Sequence, residues 1–145
     1  MFSLIITIIS IALVAALALA TLYYGGDAFN RGSAGATASR LINEGQQING
    51  AVTLANADAA AGGTAVTDLA GLVTAGYLSQ LPGMFTAQGT TTLASGIVEV
   101  AAGSADVCTE VNRRAGHAAT AVDTAGEQPG VYGCNTADQE FYFKF

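Results

Sequence analysis

The chain opens on an unbroken apolar run. The first charged side chain is Asp27, and from Met1 to Gly26 the strongly polar side chains are the hydroxyls of Ser3, Thr7, Ser10 and Thr21. A helix over that run spans about 39 Å at 1.5 Å per residue, enough to cross a hydrocarbon core of about 30 Å. Tyr23 and Tyr24 stand where an interfacial aromatic pair sits. From Ala34 to Ala55 the pattern changes. Ala38, Leu41, Ile42, Ile48, Ala51, Val52 and Ala55 recur near i, i+3, i+4 and i+7, with Arg40, Asn43, Glu44 and Gln47 placed elsewhere on the turn. The first third of the chain therefore reads as one long helix, apolar all round over 1–26 and amphipathic over 27–55. Its second half carries a globular region, 56–145, on one face. Gly25, Gly26, Gly32 and Gly35 cluster just after the apolar run. Each glycine weakens a helix by about 1 kcal/mol relative to alanine, so Gly25 and Gly26 predict a place where the helix can loosen.

Past the long helix the periodicity shortens. Asn56 to Thr67 is rich in Ala, Gly and Asp and reads as a loop. Asp68 predicts the cap of a short helix that buries Leu69, Leu72 and Val73, with Gly76 as its stop and Tyr77–Gly83 as a turn. Thr90 to Ala101 alternates and is rich in Thr, Val and Ile, as a strand or hairpin arm does. Ala105 to Arg114 suits a short helix with Cys108 and Val111 inward. Val131–Cys134 and Glu140–Phe145 are strand-like, the latter with Phe141, Phe143 and Phe145 on one face. The fold class is α+β.

Three readings of the apolar run compete. Ala18-Leu19-Ala20 fits the cleavage pattern of a secretory signal, but no Lys or Arg precedes the run. A plain membrane anchor is the second. The third is a helix that leaves the membrane to pack against copies of itself, and Ala12, Ala16 and Ala20 at i, i+4 and i+8 give it the small-residue stripe that close helix approach needs. Orientation is contested by two signals. Arg31 and Arg40 follow the span, which by charge alone places the rest of the chain in the cytoplasm. The two cysteines point to an oxidising compartment instead, and they carry more weight.

Composition removes whole classes of function. The 145 residues are 51% hydrophobic and 11% charged, against roughly 25% charged in an average globular protein. At this length one domain with an appended segment is expected. A net charge of −6 with a single Lys leaves no basic surface for nucleic acid. One His and two Cys are too few for a four-coordinate zinc site, and no nucleotide-binding loop is present, so no cofactor is expected. The best enzymatic candidates are His117 with Asp123 or Glu127, and Ser104 with Asp106. His117 lies in a stretch of Ala and Gly and is expected to be solvent-exposed and non-catalytic. Asp58, Asp68, Asp123 and Asp138 lack the spacing of a calcium loop. Arg113-Arg114 reads as a solvated pair.

Cys108 and Cys134, 26 positions apart, are the only cysteines. A bridge closing that loop would stabilise by about 3.5 kcal/mol on the chain-entropy estimate, a large share for a small domain with few bulky apolar side chains. Two buried free thiols are the alternative. An even count behind a membrane-length segment favours the bridge.

Taken in order, these features resemble a type IV pilin, of the type IVb group in particular. Phe2-Ser3-Leu4-Ile5 is similar to the start of a mature pilin before its long apolar helix. Leu69-x-x-Leu72-Val73-x-x-Gly76-Tyr77-Leu78-x-x-Leu81-Pro82 is similar to the short helix and turn that follow it. Cys108 and Cys134 bracket the C-terminal region as the family's disulfide does. Two features depart from the family. Pilins usually place Glu at the fifth mature position, where Ile5 or Ile6 stands here, and no acidic residue precedes Asp27. A basic leader ending in Gly is also missing, so the sequence is expected to be the processed form, with Met1 as its first residue.

The resemblance implies a pilin-like fold and a structural role. The subunit would wait in the inner membrane, be processed by a prepilin peptidase, bear a methylated N-terminus and be polymerised by the assembly machinery into an extracellular pilus that serves adhesion. The filament core would be packed from Met1, Phe2, Ile5, Ile6, Ile8, Ile9, Ala12, Leu13, Ala16, Leu17 and Ala20 of many copies. Two alternatives remain at this stage. One is a minor pilin or a pseudopilin of type II secretion. The other is a membrane-anchored extracytoplasmic binding domain.

Overall fold

A computed structural model describes residues 2–86, 93, 96–118 and 130–145. Six elements follow in chain order: α1 (Phe2–Ala60), α2 (Leu69–Thr74), β1 (Ile97–Ala101), α3 (Ala105–Ala115), β2 (Tyr132–Asn135) and β3 (Glu140–Lys144). The chain divides into two compact units, Met1–Ser33 and Ala34–Phe145. The second unit is an α+β head, in which the C-terminal part of α1 packs on a three-stranded antiparallel sheet closed by a disulfide.

The buried stripe of α1 within the head is Ala34, Ala38, Leu41, Glu44, Gly45, Ile48, Ala51, Val52 and Ala55. The 3.6-residue period named most of these positions. The helix runs five residues beyond Ala55, through Asn56–Ala60, where the composition reads as a loop. Glu44 is the other difference. It falls three residues after Leu41 and four before Ile48, so it lies in the buried stripe rather than on the solvent face. It is only 8% exposed. Its carboxylate accepts from Arg40 Nε at 2.7 Å and from the Met84 backbone N–H at 2.8 Å. A buried carboxylate is tolerated when its oxygens are hydrogen-bonded in this way. The effect is to seat the Met84–Phe85 segment on α1, and Phe85 then meets Phe141 edge-on, with ring centroids 6.5 Å apart.

The sheet order is β1-β3-β2, which makes the aromatic strand β3 central. Register pairs Val98 with Phe143, Val100 with Phe141, Cys134 with Phe141, and Tyr132 with Phe143. Those residues share one face, as the two-residue alternation of a strand requires. Phe141 and Phe143 are buried and Phe145 is partly buried against the same core. Tyr132 stacks on Phe143, with planes 10° apart. Gly45 is where α1 comes closest to this face: a Cβ built there would stand 2.5 Å from Cδ2 of Phe143. On the opposite face Tyr142 is also buried, its ring lying across Gly133 of β2. β2 begins at Tyr132 and ends at Asn135, one residue later than its pattern suggests. Of the stretch Thr90–Ala101, residues 97–101 form β1, and 90–92, 94 and 95 lie outside the described residues.

The short helices end where their punctuation says. The Asp68 side chain accepts from the Gly71 N–H at 2.5 Å and caps α2. Ser104 caps α3 in the same way, through Val107 N–H. Gly116, at φ 78°, takes the left-handed conformation that ends α3, and its basic last turn (Arg113, Arg114) suits the negative end of a helix. α3 is joined to β2 twice. Cys108 and Cys134 are disulfide-bonded, with Cα atoms 5.0 Å apart. One turn on, the buried Asn112 side chain donates from Nδ2 to the Cys134 carbonyl and accepts from the Cys134 N–H through Oδ1, both at 2.8 Å.

Two substitutions test these junctions by denaturant unfolding of the detergent-solubilised chain. Gly45→Ala forces a methyl group into the Phe143 ring and should destabilise the head by about 1–3 kcal/mol, as overpacking does. Asn112→Ala leaves both backbone groups of Cys134 buried without partners and should destabilise by about 2–4 kcal/mol even with the disulfide intact. Loss of less than about 0.5 kcal/mol in either would show that the junction is not tight.

Candidate membrane and assembly segment

Residues 2–33 belong to a compact unit of their own. The large apolar side chains from Phe2 to Phe29 keep between 52% and 84% of their surface exposed. Among the described residues no face of this segment is buried. An exposed apolar surface of this extent marks a membrane or protein contact. The helix is long and apolar enough to cross a membrane, with a mean hydropathy of 2.8 over its best 18-residue window.

Its hydroxyls complete the case. Thr7 Oγ1 donates to the Leu4 carbonyl at 2.8 Å, Ser10 Oγ to the Ile6 carbonyl at 2.8 Å, and Thr21 Oγ1 to the Ala18 carbonyl at 2.9 Å. The hydrogens of these three side chains are satisfied by the preceding turn of their own helix. Such back-bonding lets Ser and Thr sit in an apolar medium without an orphaned donor.

The residues expected to pack a filament core are placed as follows. Phe2, Ile5, Ile6, Ile9, Leu13 and Leu17 are exposed apolar side chains within an arc of about 120° on the helix, and exposed Ala12, Ala16 and Ala20 lie on the same side. Met1 lies outside the described residues. Gly25 and Gly26 are helical, and a Cβ at either would meet nothing within 4 Å. Among the described residues nothing requires glycine at these two positions.

Among the described residues the candidates for chemistry elsewhere do not converge. Ser104 is the cap of α3. Asp68 is occupied in capping α2, and Asp138 accepts from Asn135 Nδ2 at 2.7 Å. Tyr77 donates its hydroxyl to Asp58 Oδ2 at 2.6 Å, and that bond to a carboxylate holds the phenol above its ordinary range. His117 is half-buried rather than solvent-exposed: its Nε2–H donates to the Tyr132 carbonyl at 3.2 Å, which ties the chain after α3 to β2. Asp123 and Glu127 lie outside the described residues. Among the described residues no three His, Cys, Asp or Glu side chains gather in a metal-holding group.

One electrostatic cluster stands out on α3. Glu110 accepts from Arg113 Nη2 at 2.6 Å and Nε at 2.9 Å, and from Arg114 Nε at 2.8 Å. Arg114 also reaches Ser39 of α1 through Nη1, across the surface beside Gly35. The hydrogen bonds from Arg113 and then Arg114 hold the Glu110 carboxyl well below the usual range, at about 2. Sequence reading missed Glu44, Gly45 and Asn112. For Glu44 the signal was its place in the apolar stripe; Gly45 and Asn112 left none.

The Glu110 cluster sets a pH dependence. The depressed value favours the ionised carboxylate in the folded chain. Its contribution to stability is therefore full above the ordinary Glu value of about 4.3 and fades as pH falls from there through about 2. A carboxyl-carbon titration should show a Glu110 midpoint near 2, rising when about 1 M salt screens the two arginines. A midpoint near 4 at low salt would mean that the arginines do not hold it.

The architecture, a long apolar helix continuing into a helix packed on a small antiparallel sheet with a C-terminal disulfide, is consistent with a pilin-like fold. Comparison with protein-family models, curated proteins and solved structures finds no match.

Proposed function

We propose that this chain is a structural, non-catalytic subunit that polymerises through its N-terminal helix into an extracellular filament of the type IV pilus kind. The observation that carries the reading is the N-terminal segment, apolar on every side and unburied among the described residues, with Thr7, Ser10 and Thr21 bonded to their own backbone. Helices from many copies satisfy that surface where a membrane no longer can. Repeated contacts between unlike surfaces of the same subunit generate an open filament rather than a closed ring.

On this reading the inner membrane stores the subunit, a prepilin peptidase processes it and an assembly machinery supplies the energy. Phe2, Ile5, Ile6, Ile9, Ala12, Leu13, Ala16, Leu17 and Ala20 pack the core, with Gly25 and Gly26 allowing the helix to loosen on assembly. The heads coat the outside, where a disulfide suits an oxidising medium. A plain anchor for an extracytoplasmic binding domain uses the same span, and Tyr23 and Tyr24 serve it equally well as interfacial aromatics.

Electron microscopy and intact-mass analysis of material sheared from producing cells separate the two. Thin filaments dominated by this chain are expected. Ala16→Phe, which keeps the segment apolar but blocks close helix approach, should cut filament yield at least about tenfold while the chain still accumulates in the membrane. Wild-type protein confined to the membrane fraction, with no filaments, would leave the anchored domain as the account.

A further inference from the structure

Asp27 and Arg31 are the first two charged side chains in the chain and lie in its N-terminal unit, Met1–Ser33. Both are exposed. Opposite charges at i and i+4 are within reach of one another on a helix. Here, among the described residues, neither Asp27 nor Arg31 makes an ion pair. Arg40, Arg113 and Arg114, by contrast, each hold a carboxylate of the head. The two charges also share a side of the helix with the small-residue stripe. Counting about 100° per residue from Ala12, Ala16 and Ala20 stand at about 40° and 80°, and Asp27 and Arg31 at about 60° and 100°.

We propose that this side of the helix docks on a second copy of the chain, Asp27 of one copy pairing with Arg31 of its neighbour to set the axial register between them. The inference rests on the filament reading. A second copy is the occupant that charge complementarity selects: an anionic surface would take Arg31 and repel Asp27, whereas copies offset in the two axial directions offer an arginine to Asp27 and an aspartate to Arg31. No group nearer the N-terminus among the described residues can set the register by charge. The segment before Asp27 carries no charged side chain, and Thr7, Ser10 and Thr21 spend their hydrogens on their own backbone. Four residues at 1.5 Å set an offset of about 6 Å between paired helices. Each copy gives its Asp27 to one neighbour and its Arg31 to another, so the contact propagates without closing. Partial desolvation among packed helices makes such a pair stronger than the same pair in water.

Charge reversal tests this in producing cells, with membrane levels of the chain measured alongside sheared filaments. Asp27→Arg and Arg31→Asp should each lower filament yield at least about tenfold, and the double reversal should restore it to within about threefold of wild type, as a coupled pair requires. Both residues lie outside the head, so its disulfide and fold serve as an unchanged control. Single variants that assemble like wild type would overturn the pairing. So would a double reversal as poor as the singles at normal membrane levels. Wild type without filaments would instead overturn the filament reading, and the pairing with it.

Discussion

The ring of Phe143 against the bare backbone of Gly45 is the contact on which the head is organised. A helix and a sheet pack at a distance set by the side chains between them. Removing a side chain at the crossing lets α1 sit directly on the central strand. From that contact the other placements follow. β3 must be central, because its aromatic face is the one α1 covers, and β1 and β2 flank it with Val98, Val100, Cys134 and Tyr132 on the same side. Glu44, the neighbour of Gly45, then faces inward, and its carboxylate is used to fasten the Met84–Phe85 segment that completes the core with Phe85. A polar group has been buried at the seam, with both oxygens hydrogen-bonded.

The outer edge of β2 shows a second economy. Edge strands expose unpaired N–H and C=O groups and invite pairing with other chains. Here the outward groups of Cys134 are both taken by the Asn112 amide, and the outward carbonyl of Tyr132 by His117. Two side chains from α3 and its C-terminal turn thus stand in for a fourth strand. The disulfide from Cys108 lies one helical turn from Asn112, so covalent and hydrogen-bonded links act on the same short stretch of β2. For a chain proposed to crowd many heads on one filament, a sealed edge directs association to the apolar helix instead of to sheet augmentation.

The two units obey different solvents. In the head, hydrophobic side chains select one side of α1 and polar groups keep the other. In residues 2–33 no side is selected, hydroxyls turn back onto their own carbonyls, and charge begins only at Asp27. Such a segment has no preferred neighbour in water, and its apolar surface is compatible with insertion in a membrane.

The elements and their order were legible because they follow from local periodicity and punctuation. The membrane-length run, the stripe Leu41–Ile48–Val52, the cap Asp68 with the glycine stop at Gly76, and the alternation Phe141–Phe143–Phe145 are each written within a few residues. The cysteine pairing was legible because only two cysteines exist. His117 is half-buried where its Ala and Gly surroundings predict exposure, and α1 runs on past Ala55 to Ala60 because three of the residues 56–60 are alanine, the strongest helix former. What sequence could not decide was anything that depends on a partner distant in the chain. Glu44 is buried because the Met84 N–H arrives 40 residues later, Asn112 because β2 brings it a bare peptide group, and Gly45 because Phe143 must approach it. Periodicity reports which side a residue faces. Only the tertiary structure supplies the group that it faces, and that group decides whether a charge, an amide or a missing side chain is a fault or the joint that holds the fold.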